Sequence, residues 1–185
     1  MDKRKLVTIL MTALMLSACE KETWGCLEDQ PVLFEYRNIN FAWGYQEQGW
    51  LIDAEGIVRT YHLPEDFRLP DSTGFISRQD LDHNLSLTAS IIHTVDKADL
   101  VYYSSLIPGA SEGEIGKSRH IAVDAGASVL ACYFYNEEAD AYKYIFLAQS
   151  GDFEQFNLSS EAGILVNWLI DFEVFWLSDR LGRSG

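Results

Sequence analysis

Residues 128–148 read SVLACYFYNEEADAYKYIFLA. Ser128 to Tyr135 is apolar at almost every position, as expected of a central strand buried on both faces. The polar turn Asn136-Glu137-Glu138-Ala139-Asp140 returns the chain into Tyr142 to Ala148, a second strand. An upstream hairpin has the same logic. Gly49 to Ile52 and Ile57 to Tyr61 flank Asp53-Ala54-Glu55-Gly56, which suits a type I turn with Gly56 in the left-handed conformation. Joining the two hairpins predicts one largely antiparallel sheet.

The flanking segments add strands and helices. Val32, Phe34 and Tyr36 alternate with Leu33, Glu35 and Arg37, which predicts a first strand. Residues 41–47 extend it or form another. Pro64 and Pro70 bracket a loop without periodicity. Ser77, with Asp80 three residues on, caps a short helix reaching about Leu85. Residues 86–95 fit strand or helix equally. Asp96 caps a second helix striped by Leu100, Tyr103 and Ile107, which Pro108 and Gly109 should end. Residues 109–118 (GASEGEIGKS) are the expected flexible segment, followed by a short strand from His120 to Val123. Gly151-Asp152 breaks the last strand. Asn157, Ser159 and Ser160 offer caps, and Glu161 suits the positive end of the helix that follows.

That helix, Ala162 to Leu177, carries Leu165, Trp168, Leu169, Phe172, Phe175 and Trp176 at helical spacing. Gly163, Asn167, Asp171 and Ser178 occupy its other face. With Asn167, Asp171 and Glu173 inside about 16 residues, it is too short and too polar to span a bilayer. The expected class is therefore α+β: a largely antiparallel sheet from two hairpins, packed by a long C-terminal helix and one or two shorter helices. The expected single domain covers residues 32–178, with 179–185 as a frayed tail. The 5 Trp and 9 Tyr either fill such a core or form an exposed contact surface.

At the N-terminus, Lys3, Arg4 and Lys5 precede an apolar run, LVTILMTALML, that ends at Leu16. Ser17 and Ala18 then lead to Cys19, the order of an export signal. The run is about half the roughly 20 residues of a spanning helix, which disfavours an uncleaved anchor. Leu16-Ser17-Ala18-Cys19 resembles the lipobox of bacterial lipoprotein precursors. The resemblance covers residues 1–19. It implies cleavage of a signal peptide, 1–18, lipid attachment at Cys19, and a tether over residues 19–31. It also implies an extracytoplasmic, membrane-anchored protein, with Glu20 in place of the Asp that favours inner-membrane retention.

The chain carries 14 basic and 28 acidic residues, a net charge of −14. Loss of Asp2, Lys3, Arg4 and Lys5 with the signal peptide would change it to −16. Such a surface repels nucleic acid and anionic headgroups, so the expected partners are the membrane, through the lipid, and an envelope protein. With 48% hydrophobic and 13% aromatic residues the chain is not a disordered polyanion. Cys26 and Cys132 remain once Cys19 is acylated. A bridge between them would close a loop of roughly 107 residues, worth about 4–5 kcal/mol in the chain-entropy model. The other reading makes Cys132 a buried thiol in a strand.

Motifs for chemistry are sparse. Asn136, Glu138 and Asp140 have the 1-3-5 spacing of a calcium loop, but Ala141 and Leu147 stand where Gly and Glu are needed. The four histidines form no zinc pattern, and nucleophile elbows, phosphate loops and Cys-x-x-Cys are absent. No metal or other cofactor is expected. Asp124, Asp152 and Asn157 are the candidate constellation: at neighbouring strand ends they would form a cleft for acid–base work or a metal. Otherwise Asp124 orders its own turn, while Asp152 and Asn157 order the start of the last helix. The favoured function is a non-enzymatic binding or scaffolding module. The alternatives are an envelope hydrolase using Asp124 and Asp152, and an inhibitor of an envelope enzyme.

Overall fold

A computed structural model describes residues 30–42 and 44–182. Its elements in chain order are β1 (Val32–Asn40), β2 (Gln46–Asp53), β3 (Ile57–His62), β4 (Phe75–Ile76) and α1 (Arg78–Ser86). There follow β5 (Ser90–Thr94), α2 (Lys97–Ser104), α3 (Ile107–Ser111), β6 (Arg119–His120), β7 (Ala127–Asn136), β8 (Ala141–Gly151), β9 (Phe153–Phe156) and α4 (Ser160–Gly182). The strands form one sheet in the order β5-β3-β2-β1-β7-β8-β9-β6, with β4 added to β8. Every pairing between these strands is antiparallel. The class is α+β.

Both predicted hairpins form, and β1 joins them by pairing with β2 on one side and β7 on the other. In the β2–β3 turn, Gly56 has φ +80°, and the Asp53 carboxylate accepts from the backbone N–H groups of Glu55 and Ile57. Ser77 and Asp96 cap α1 and α2 as predicted. Of the ambiguous residues 86–95, Ser86 ends α1 and Ser90–Thr94 form β5, because β3 offers them a free edge.

Three expectations are corrected. Pro108 does not close a helix but lies in the first turn of α3, where its missing N–H costs nothing. Residues 109–118 are not a free loop: part belongs to α3, and Glu114 and Gly116 bond across to Leu158 and Phe156. The strand expected from His120 to Val123 is instead the two-residue β6, Arg119–His120; α4 runs through Gly182, and 183–185 lie outside the described residues.

Alternation along the strands gives the sheet two buried faces. On one, Phe34, Tyr36, Trp50, Ile52, Val58, Leu130 and Cys132 pack against Leu100, Ile107, Leu165, Leu169 and Phe172 of α2, α3 and α4. Each such large side chain contributes about 1.5–3 kcal/mol on burial. Gly163, Asn167 and Asp171 face solvent, as the helical stripe requires. The other face holds Leu51, Tyr61, Tyr133 and Tyr142 beneath Phe67, Ile76, Leu81 and Leu85. Its cover is α1, β4 and the loop before them. Among the described residues no helix is long and apolar enough to cross a membrane.

Candidate functional site

Asp152 bonds the turn that carries Asp124 at one end of the sheet, and Asn157 lies elsewhere. Asp124 is exposed with φ 62°, in a turn whose Gly126 lies so close to β1 that a Cβ would stand 2.3 Å from the Ile39 carbonyl oxygen. The Asp152 carboxylate accepts from the Ala125 N–H at 2.7 Å, and its backbone accepts from Ile121 and donates to Gly126. Asp152, rather than Asp124 itself, therefore orders the Asp-Ala-Gly turn. Asn157, at the far end of β9, is buried. Its amide donates to the carbonyls of Ala110 and Phe146, and its oxygen accepts from the Ser159 N–H. It fastens α3, β8 and the start of α4. No group of three or more His, Cys, Asp or Glu among the described residues could hold a metal ion.

A polar cluster that sequence alone did not single out lies on the α1 side of the sheet. Glu35 and Arg37 occur two apart on β1, so both point to that face. Glu35 is fully buried, and Tyr133 of β7 donates its phenolic O–H to the carboxylate. Burial raises the carboxyl above its usual range, against the lowering effects of the Tyr133 bond and the Arg37 charge. Arg37 is engaged elsewhere: its Nε donates to Glu47 at 2.6 Å, and Tyr45 donates to the other Glu47 oxygen. Phe67 lies over the Arg37 guanidinium and against Tyr61. The cue in the sequence is a charged pair on the inner side of a strand. Its partner Tyr133 is 98 residues away, so no local pattern reveals the contact.

A polar cleft of about 260 Å³ opens where the described chain begins, lined by Gln30, Pro31, Asp53, Glu55, Arg59 and Arg78 among others. Both of its cations are already paired, Arg59 with Asp53 and Arg78 with Asp82. The opposite end of β1 is apolar. Here the 41–45 loop and the Asp124 turn are joined by the Asn40 amide, which donates to the Asp124 carbonyl. Phe41 is 71% exposed, Tyr45 52%, Val123 74% and Ile121 49%. Among the described residues, the large apolar side chains exposed at this tip are these four. Trp50 and Trp168 belong to the helix-side core. Trp24 and Trp43 and the side chain of Trp176 lie outside the described residues.

Cys132 is a free thiol facing α4, fully buried between Phe34 and Ile145, with its ionisation pushed up by that burial. Cys19 and Cys26 lie outside the described residues. Searches against protein families, curated proteins and solved structures find no match to this chain.

Proposed function

We propose that this chain is a lipid-anchored extracytoplasmic envelope protein whose domain binds another envelope component without catalysing a reaction. The lipobox-like Leu16-Ser17-Ala18-Cys19 supports the anchor and its address. The apolar tip carries the binding part of the reading. β1 is 9 residues long. Its ends therefore stand roughly 26 Å apart, at about 3.3 Å per residue. A tether ending at residue 31 would leave from the Val32 end, so the tip would point away from the anchoring membrane. Exposed Phe41, Ile121 and Val123 in contiguous loops suit a protein contact better than solvent does. Engagement of Asp152 with the Asp124 turn favours binding over a carboxylate-pair hydrolase.

Two measurements in an exporting bacterium test this. Wild-type protein should incorporate a fatty-acid analogue and resist extraction by salt, and Cys19→Ala should do neither. A photo-crosslinking residue at position 123 should trap a discrete envelope protein, whereas one at position 55, beside the cleft, should not. Equal yields at 123 and 55, or none at 123, would defeat the binding reading.

A further inference from the structure

The Glu35 cluster is covered by one thin layer. Residues 63–86 run over it, anchored by the Leu63 N–H on the Glu47 carbonyl and the Tyr144 N–H on the Gly74 carbonyl. The two-residue β4 adds a short pairing with β8. Within the cover, Asn84 holds Arg68 through both backbone groups, and His83 reaches the Asp66 carbonyl. Phe67, Ile76, Leu81 and Leu85 are its apolar contacts with the sheet. Leu63 and Asp66 have φ 46° and 65°, left-handed values that side chains other than glycine disfavour.

What lies beneath is unusual for so light a covering. The Glu35 carboxylate has a neutral phenol, Tyr133, as its hydrogen-bond donor. The nearest cation, Arg37, is bonded to Glu47. The other groups facing Glu35 are the Glu47 carboxylate on β2 and the phenols Tyr61 on β3, Tyr133 on β7 and Tyr144 on β8. From the cover, Phe67, Ile76, Leu81 and Leu85 pack on this face; Arg68 and His83 each pair with Asp66 at its outer surface, Asp80 is bonded to Ser77, and Glu65, Asp71, Arg78 and Asp82 are exposed. An ionised Glu35 would therefore be a buried charge without a cation of its own, and hydration is the cheapest relief.

We propose that residues 63–86 are a pH-dependent cover, shut over Glu35 while its carboxyl holds a proton and opening to hydrate it when the proton leaves. The closed form binds the proton more tightly than the open form. Closure is therefore complete in acid and weakens as pH rises towards the closed-state transition of Glu35. Opening would expose a face lined by two carboxylates, a guanidinium and several phenols.

Amide hydrogen exchange on the full chain in detergent tests this, with rates corrected for intrinsic exchange. Measured at about pH 5 and about pH 8, protection of residues 63–86 should be lower at the higher pH, by up to about tenfold per pH unit for the single proton of Glu35. Protection in β7 and β8 should stay level. Glu35→Gln, which still accepts from Tyr133, should abolish the pH dependence. Tyr133→Phe should move the upper end of that fall, where the closed form itself loses the proton, to higher pH by removing a bond to the ionised form. Glu47→Gln should move it lower, because it removes a like charge and frees Arg37. Histidines titrate in the same range, so His83→Asn should leave the dependence intact. Persistence of the dependence in Glu35→Gln, its loss in His83→Asn, or equal loss of protection in β7 and β8 would each overturn the cover. Should Glu35→Gln fail to fold, the opposed shifts of Tyr133→Phe and Glu47→Gln still decide the matter, and shifts of the same sign refute it.

Discussion

On the helix side of the sheet, Phe34, Trp50, Leu130 and Cys132 meet Leu165, Leu169 and Phe172 in a cluster of apolar side chains. On the α1 side, the same strands bury Glu35 and Glu47 among Tyr61, Tyr133 and Tyr144. The first face is stabilised by volume and close packing. The second depends on each polar atom keeping its partner, because an unpaired group in a dry site costs more than the bond contributes. One face should thus respond to changes of size and the other to changes of charge and pH.

The largest effect should come from the apolar face. Leu169→Ala should cost about 2–5 kcal/mol in urea unfolding, with little change between acid and neutral pH. A strongly pH-dependent loss would show that the two faces are coupled. Arg37→Met follows, at about 3 kcal/mol near neutral pH, because it strands the buried Glu47 carboxylate. Adding Glu47→Gln should recover much of that loss; no recovery would mean that Arg37 acts through packing on Phe67 alone.

Asn157→Ala sharpens the contrast, since it removes a neutral polar link from the helix side. It removes a donor from each of the Ala110 and Phe146 carbonyls and the acceptor of the Ser159 N–H, for a cost of about 1–3 kcal/mol. This loss should be independent of pH, as thermal unfolding at two pH values would show. The smallest effect has the opposite sign. With the carboxyl of Glu35 raised in the folded state, native protein binds its proton more tightly than unfolded chain does. Its contribution is fully present below the unfolded transition and is lost as pH rises through the folded one, at about 1.4 kcal/mol per pH unit. Glu35→Gln should therefore stabilise the domain at neutral pH and confer no gain in acid. Destabilisation at both would show that the carboxylate is itself a structural acceptor.

Local signals in the chain were sufficient for the hairpins, the caps at Ser77 and Asp96, and the inward stripe of α4. Each depends on residues close together in sequence, whose spacing matches a 2.0 or 3.6 residue period. They failed where a distant segment chose the outcome. Pro108 reads as a stop, but it opens α3 because α4 and β7 offer that short turn a place to pack. Residues 114–118 read as free chain, but the edge of β9 captures them. The candidate site divides in the same way. Asp124 and Asp152 were visible as carboxylates at breaks in apolar runs, and tertiary structure then placed them at one turn with Asp152 already engaged.

By itself the sequence determined the α+β class, the antiparallel sheet and the burial of one face of the last helix, because alternation and helical spacing are properties of neighbouring residues. It also carries the lipobox-like motif on which the proposed anchoring rests. Only the tertiary structure decided that Glu35 lies under Tyr133, that Arg37 turns to Glu47, and that the apolar tip stands opposite the start of the domain. Those facts depend on strand order and register, which bring residues about a hundred positions apart into contact. No local preference encodes that closure; it emerges when the whole sheet buries its two faces together.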